Sequence, residues 1–236
     1  MKLYYFLLTL FAISISSKTF AYIPPIINVQ NFENPKEVHF SFGFGTDGPE
    51  QTLSVSIMDN LYTFVNSTFS IDTMHVTDFY SKHYFIEGGF GSYQKIGKYW
   101  RFITSGGYAY GQFYTKYDTD YSLFLFSPNK HSEVNYIAHR FFIAVNYGIE
   151  FEHLEFYFGG KITVGDYIST NLEQKRHISA APSLEPNLTV KLGIRKLKIF
   201  AQVRESFDTF NQSFLSRNYF ISFGLELSIN KQNIKS

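Results

Sequence analysis

The sequence predicts an all-β protein, a closed antiparallel up-and-down transmembrane β-barrel of about ten strands with short periplasmic turns and longer external loops. Three observations predict it. From Asn218 to Asn230, Tyr219, Ile221, Phe223, Leu225, Leu227 and Ile229 alternate with Phe220, Ser222, Gly224, Glu226 and Ser228. Successive side chains of a strand point to opposite faces, so this segment has one apolar and one mostly polar or small face, and the pattern recurs along the chain. The second observation is the ring content: 19% of the 236 residues are aromatic, with 27 Phe and 18 Tyr. Rings with a polar tip suit the two water–lipid interfaces of a barrel. Third, residues 1–21 read as an export signal, with Lys2, an apolar run from Leu3 to Ile15, and Thr19-Phe20-Ala21 before the expected cleavage site. That run is shorter than the roughly 20 residues of a spanning helix.

Residues 22–36 form a periplasmic lead-in, because Pro24 and Pro25 forbid a regular ladder. The barrel is expected over 37–230, with a tail at 231–236. The first strand, about Glu37 to Gly45, has Val38, Phe40, Phe42 and Phe44 on one face and Glu37, His39, Ser41 and Gly43 on the other. Thr46 to Glu50 reads as a turn, and Leu53, Val55 and Ile57 mark a second strand ending at Met58-Asp59-Asn60. A third strand runs from about Leu61 to Ile71. After a polar loop over 72–81, the fourth (about Lys82 to Gln94) turns at Lys95 to Lys98 into the fifth (about Arg101 to Tyr114). Gly88, Gly89, Gly91, Gly106 and Gly107 blur the alternation of this pair and fit bending or close packing in a closed sheet.

A long loop over 117–132 leads to the sixth strand, with Phe141, Ile143, Val145, Tyr147, Ile149 and Phe151 on its apolar face. A turn at His153 gives the seventh, where Phe156, Phe158, Ile162 and Val164 oppose Glu155, Tyr157, Lys161 and Thr163. A polar loop over 166–186 precedes the eighth, with Leu188, Val190, Leu192 and Ile194 opposite Asn187, Thr189, Lys191 and Arg195. In the ninth, Ile199, Ala201 and Val203 oppose Lys198, Phe200, Gln202 and Arg204. The strand from Asn218 to Asn230 closes the barrel. Eight strands is the alternative, with one Gly-rich hairpin outside the wall.

Composition narrows the function classes. Loss of Lys2 and Lys18 with the leader leaves 19 basic against 20 acidic side chains, and a near-neutral chain is a poor partner for nucleic acid. No cysteine means no disulfide, no thiolate metal site and no lipid-modified N-terminal Cys.

Tyr22-Ile-Pro, Asn28-Val29, Lys36-Glu-Val38, the FGFGTDG run at Phe42 to Gly48, GGFGSYQKIGK at Gly88 to Lys98, Arg101-Phe102 and GGYAYG at Gly106 to Gly111 carry a likeness. Over residues 22–115 the chain resembles a functionally uncharacterised family of small outer-membrane β-barrel proteins of Gram-negative bacteria. The resemblance implies a barrel fold and an outer-membrane location, and brings no catalytic residues. The chain departs from the family in lacking a lipobox cysteine, and from the usual barrel ending in continuing past Ile229 to Ser236 rather than stopping on an aromatic.

With apolar faces toward lipid, Glu37, His39, Glu87, Arg140, Glu150, Lys161, Lys191, Arg195, Arg204 and Glu226 are expected to line the lumen. Charges of both signs in a narrow barrel predict an ion-paired plug, with an anion path as the alternative. Asp118 and Asp120 are the one candidate acid pair for a loop-rim hydrolase, but no Asp-x-His partner or Gly-x-Ser-x-Gly elbow occurs. No enzyme, cofactor or metal site is expected. Leu123, Phe124, Leu125 and Phe126 make an apolar run in an external loop, a candidate contact for a ligand or partner. The expected partners are outer-membrane lipid, the barrel-assembly machinery, and a surface partner or small ligand. The expected role is structural or surface interaction through external loops, with a hydrophobic- or anionic-ligand transport barrel as the alternative.

Overall fold

The computed structural model describes residues 32–45, 48–74, 79–117, 132–169, 177–208 and 219–229. They form one closed antiparallel barrel of ten strands. These are β1 Val38–Gly45, β2 Gly48–Met58, β3 Leu61–Met74, β4 Phe79–Ile96, β5 Trp100–Tyr117, β6 Ser132–Glu150, β7 Leu154–Ser169, β8 His177–Ile194, β9 Leu197–Glu205 with its continuation Phe207–Asp208, and β10 Tyr219–Ile229. Each strand pairs with its sequence neighbour, and β10 pairs with β1 to close the wall. Ten strands stand, and the Gly-rich β4 and β5 are part of the wall.

The register fixes the shape. From Val38 the paired positions run Val55, Thr63, Phe90, Gly106, Ile143, Ile162, Leu184 and Phe207. Carried through the β9–β10 and β10–β1 registers, the walk returns to β1 about twelve residues beyond its start. For ten strands that stagger corresponds to a tilt of about 40°. Each residue then raises a strand about 2.5 Å along the barrel axis, and each step between strands about 3 Å.

Three boundaries differ from the sequence expectation. The polar loop expected over 72–81 is mostly strand, since β3 runs to Met74 and β4 begins at Phe79, with Asp72 opposite Ser81. The polar loop over 166–186 is largely strand: β7 runs to Ser169 and β8 begins at His177. Pro182 and Pro186 suggested a loop, yet Leu184 and Pro186 alternate with buried Ser183, Glu185 and Asn187, and the ladder absorbs the missing N–H groups. Asn187–Arg204 and Leu184–Phe207 keep one register, so β9 is interrupted opposite Pro186, which has no N–H to offer. Likewise β2 begins at Gly48, which places Glu50 in the wall rather than in a turn.

Glycines seat the interior rings. A Cβ on Gly91, Gly111 or Gly148 would strike the rings of Tyr62, Phe85 and Tyr157, and Phe200 lies over both Gly43 and Gly224. The blurred alternation of β4 and β5 is thus a set of sockets for aromatic side chains from neighbouring strands.

Candidate functional site

Among the described residues the fold gathers its chemistry in the lumen, where the charges form two decks joined by amides. The lower deck lies at the short-turn end. His39 Nε2 lies 3.1 Å from Glu37 Oε1, and its Nδ1 lies 3.7 Å from Glu226 Oε1. Lys191 reaches across from β8 to Glu226 at 2.6 Å, and Lys198 from β9 to Glu155 at 2.5 Å, where the Tyr157 hydroxyl also donates. Arg101 pairs with Glu150 beside them.

Above, Asn187 donates to Asn146 at 3.0 Å and Gln202 to Thr189 at 2.6 Å. The upper deck follows. Lys161 on β7 meets Glu87 on β4 at 2.5 Å, 4.5 Å from the centre of the Phe142 ring, while Asn66 donates to the same carboxylate. Arg140 pairs with Glu185 at 2.8 Å and donates to Thr163 and Ser183. Arg204 on β9 meets Glu50 on β2 at 2.6 Å. Opposite charges held at contact distance in a buried space require partners, and each of these cations has a carboxylate.

A strap of residues 32–37 packs into the short-turn end of the lumen. Phe32 is buried against His39, Tyr62 and Tyr93, with ring centres 4.5, 5.3 and 5.3 Å apart. The N–H groups of Glu33 and Asn34 donate to Glu37, and Glu33 pairs with Arg195 at 2.8 Å. Burial pushes the Glu37 carboxyl up, but hydrogen bonds from His39 and Ser228, the His39 charge and the Glu33 N–H outweigh it and hold the group at about 2.

Glu37, His39, Glu87, Arg140, Lys161, Lys191, Arg204 and Glu226 are therefore inside, brought together as pairs. Glu150 sits at the lower rim with Arg101. Arg195 is a correction: it belongs to the exposed β8–β9 turn, its side chain 52% exposed, because the lumen face of β8 ends before it. Sequence reading missed Glu50, Arg101, Glu155, Glu185 and Lys198. Glu155 and Lys198 lie on the polar faces of alternating strands, so the signal for them was present. Glu50 and Glu185 were hidden by being assigned to loops. Asp118, Asp120 and the Leu123 to Phe126 run lie outside the described residues, among which no group of three His, Asp or Glu side chains is placed to hold a metal ion.

The outer wall is apolar. From Ile96, Trp100, Ile194 and Ile229 at the lower rim to Phe69, Val164 and Phe207 above, exposed large hydrophobics form a belt. The register and tilt make it about 27 Å tall. Between those rims the outward positions of the described strands carry no Lys, Arg or Asp, and Glu205 near the top is their one acid. Tyr108, Tyr110 and His139 cluster at the upper edge, Tyr99, Trp100 and Phe151 at the lower.

No family model matches the chain, and no curated protein matches it in sequence. Among solved structures it is similar to the translocator domain of the autotransporter NalP from Neisseria meningitidis, with a TM-score of 0.52 and 11% identity over 82% of this chain and 87% of that one. The beta domain of the Bordetella autotransporter Brka matches at a TM-score of 0.31 and 6% identity, over 81% of this chain and 96% of that one. At such identities the first likeness speaks to the barrel fold alone.

Proposed function

We propose that this chain is an outer-membrane β-barrel whose lumen is a structural plug, and that its role is structural or surface interaction through its external end. The belt supports the membrane part of the reading: about 27 Å of outward apolar surface edged by aromatic rings matches the roughly 25 Å band of outer-membrane barrels. The single observation that carries the rest is the cross-lumen pairing. Lys161–Glu87 and Arg204–Glu50 join strands three apart in the wall and Lys191–Glu226 strands two apart, so the space a solute would cross is occupied by matched charges. An anion path needs cations facing water, and these face carboxylates. For the same reason the translocator role in the first neighbour's name is not carried over. Hydrolysis at Asp118 and Asp120 is not proposed.

A second reading has one observation in its favour. In the upper half of the lumen Thr68 Oγ1, Ser206 Oγ, Ser222 Oγ and Glu50 Oε2 are buried with no hydrogen-bond partner among the described residues. Such a group of hydroxyls and a carboxylate fits a small polar ligand entering from the external end.

The test is to reconstitute the purified protein in planar bilayers and to compare its migration in SDS with and without boiling. A heat-dependent shift without steady conductance is expected. Steady conductance overturns the plug, and the absence of any shift overturns the membrane barrel.

A further inference from the structure

The β4–β5 turn combines charge and rings in a way no other described turn does. Lys98 follows Gly97, whose φ of 68° lets the chain reverse there, while Lys95 pairs in register with Arg101 on the lumen side of the wall. All residues from Gln94 to Trp100 are exposed. The Lys98 ammonium lies 4.9 Å from the centre of the Tyr99 ring, which packs on Phe151 at 5.6 Å, and Trp100 faces outward at the bottom of the apolar belt. Three other cations at this end are matched: Arg101 with Glu150, Arg195 with Glu33, Lys198 with Glu155. Among the described residues Lys95 and Lys98 form no salt bridge. Lys36 and Lys196 form none either, but neither has an aromatic neighbour next to it in the chain. The nearest acids of neighbouring turns are Asp59 and Glu152, and Glu152 lies 3.7 Å from His153.

We infer that this turn is a binding site for an anionic phospholipid of the leaflet on the short-turn side. Lys98 holds the phosphate and headgroup, and Tyr99, Trp100 and Phe151 pack on the glycerol and first acyl carbons. Charge complementarity and continuity with the belt select this occupant: the Lys98 ammonium at the interface attracts an anionic headgroup, while the rings need a chain that is apolar immediately beside its charge. The inference rests on the membrane reading above.

Trp100 is the one tryptophan in the chain, so it reports on its own surroundings. The protein is reconstituted in mixed phosphatidylcholine and phosphatidylglycerol vesicles in which one lipid or the other carries brominated acyl chains, and quenching of Trp100 is titrated. Brominated phosphatidylglycerol is expected to bind about fivefold more strongly per lysine engaged. The preference is expected to vanish in Lys98→Gln and to persist in Lys95→Gln and in Lys36→Gln/Lys196→Gln, with boiling-dependent migration confirming that each variant is folded. Equal quenching by both lipids overturns the site while leaving the barrel in the membrane. Quenching by neither lipid overturns the membrane reading itself.

Discussion

The wall has two unequal halves. Among the described residues strands β3 to β8 are 14 to 19 residues long, whereas β1 and β2, with only residues 46 and 47 between them, have 8 and 11. Both halves share one lower rim, so the difference is all at the external end. The long strands rise on the order of 10 to 15 Å beyond the upper edge of the belt, while Phe44, the last outward ring of β1, sits only about 15 Å above Val38. Above Leu53 and Val65 the outer face passes to Gln51 and Ser67, which pair in register. A bilayer meeting both halves must thin beside β1 and β2, because exposing less apolar wall shortens the hydrocarbon it can match. In the membrane reading proposed above, the tall side stands in water as a crown and the β1–β2 hairpin forms a lip.

The largest effect that would break this picture comes from the lumen, where each half has its own tie. Lys161–Glu87 spans β4 to β7 in the tall half, and Arg204–Glu50 spans β9 to β2 in the low half. Lys161→Met strands a buried carboxylate and is expected to cost about 3–5 kcal/mol in urea unfolding. Adding Glu87→Leu should restore most of it. Hydrogen exchange should show lost protection in β4 to β7 for Lys161→Met and in β9, β10, β1 and β2 for Arg204→Met; loss spread evenly over both halves would mean that they do not behave as separate units.

A depth scan sharpens the comparison. Ile143 in the tall half and Phe44 in the low half lie at nearly the same height, both outward and exposed. With a thinned bilayer at the lip, Ile143→Arg should lose about 2–4 kcal/mol and Phe44→Arg about 0–1 kcal/mol, read from folding titrations in vesicles. Equal losses would show a belt of uniform height.

The smallest effect concerns the shared lower rim. Glu37 has a folded pKa of about 2, below its ordinary 4.5, so its contribution to the strap is full above about pH 4.5 and is lost as pH falls toward 2. An acid-active protease should cut after Phe32 increasingly over that window. Glu37→Gln should be cut to the same extent at pH 5 and pH 2.5, and a wild-type rate independent of pH would remove Glu37 from the strap's fastening.

Strand faces were largely legible because alternation is a local property. His39, Lys161, Lys191, Arg204 and Glu226 read as lumen residues from their immediate neighbours. What failed was non-local or depended on prolines. Glu185 lies between Pro182 and Pro186 in a segment that reads as loop, and only pairing with β7 and β9 makes it wall. Arg195 continues an alternation whose strand has already ended in a turn. The Gly-rich run of β4 and β5 has no readable face, since its sockets are defined by Tyr62, Phe85 and Phe142 from other positions.

By itself the sequence determined that the chain alternates, that its apolar faces outnumber what a small soluble sheet buries, and that charges of both signs share the opposite face. The tertiary structure alone decided which cation meets which carboxylate, that the wall is low at β1 and β2, and that Phe32 packs against His39, Tyr62 and Tyr93. The physical reason is the stagger of the closed sheet. Strand periodicity is set by bonds between neighbouring residues, but the shear that brings Lys161 level with Glu87, 74 positions away in sequence, exists only once β10 has found β1.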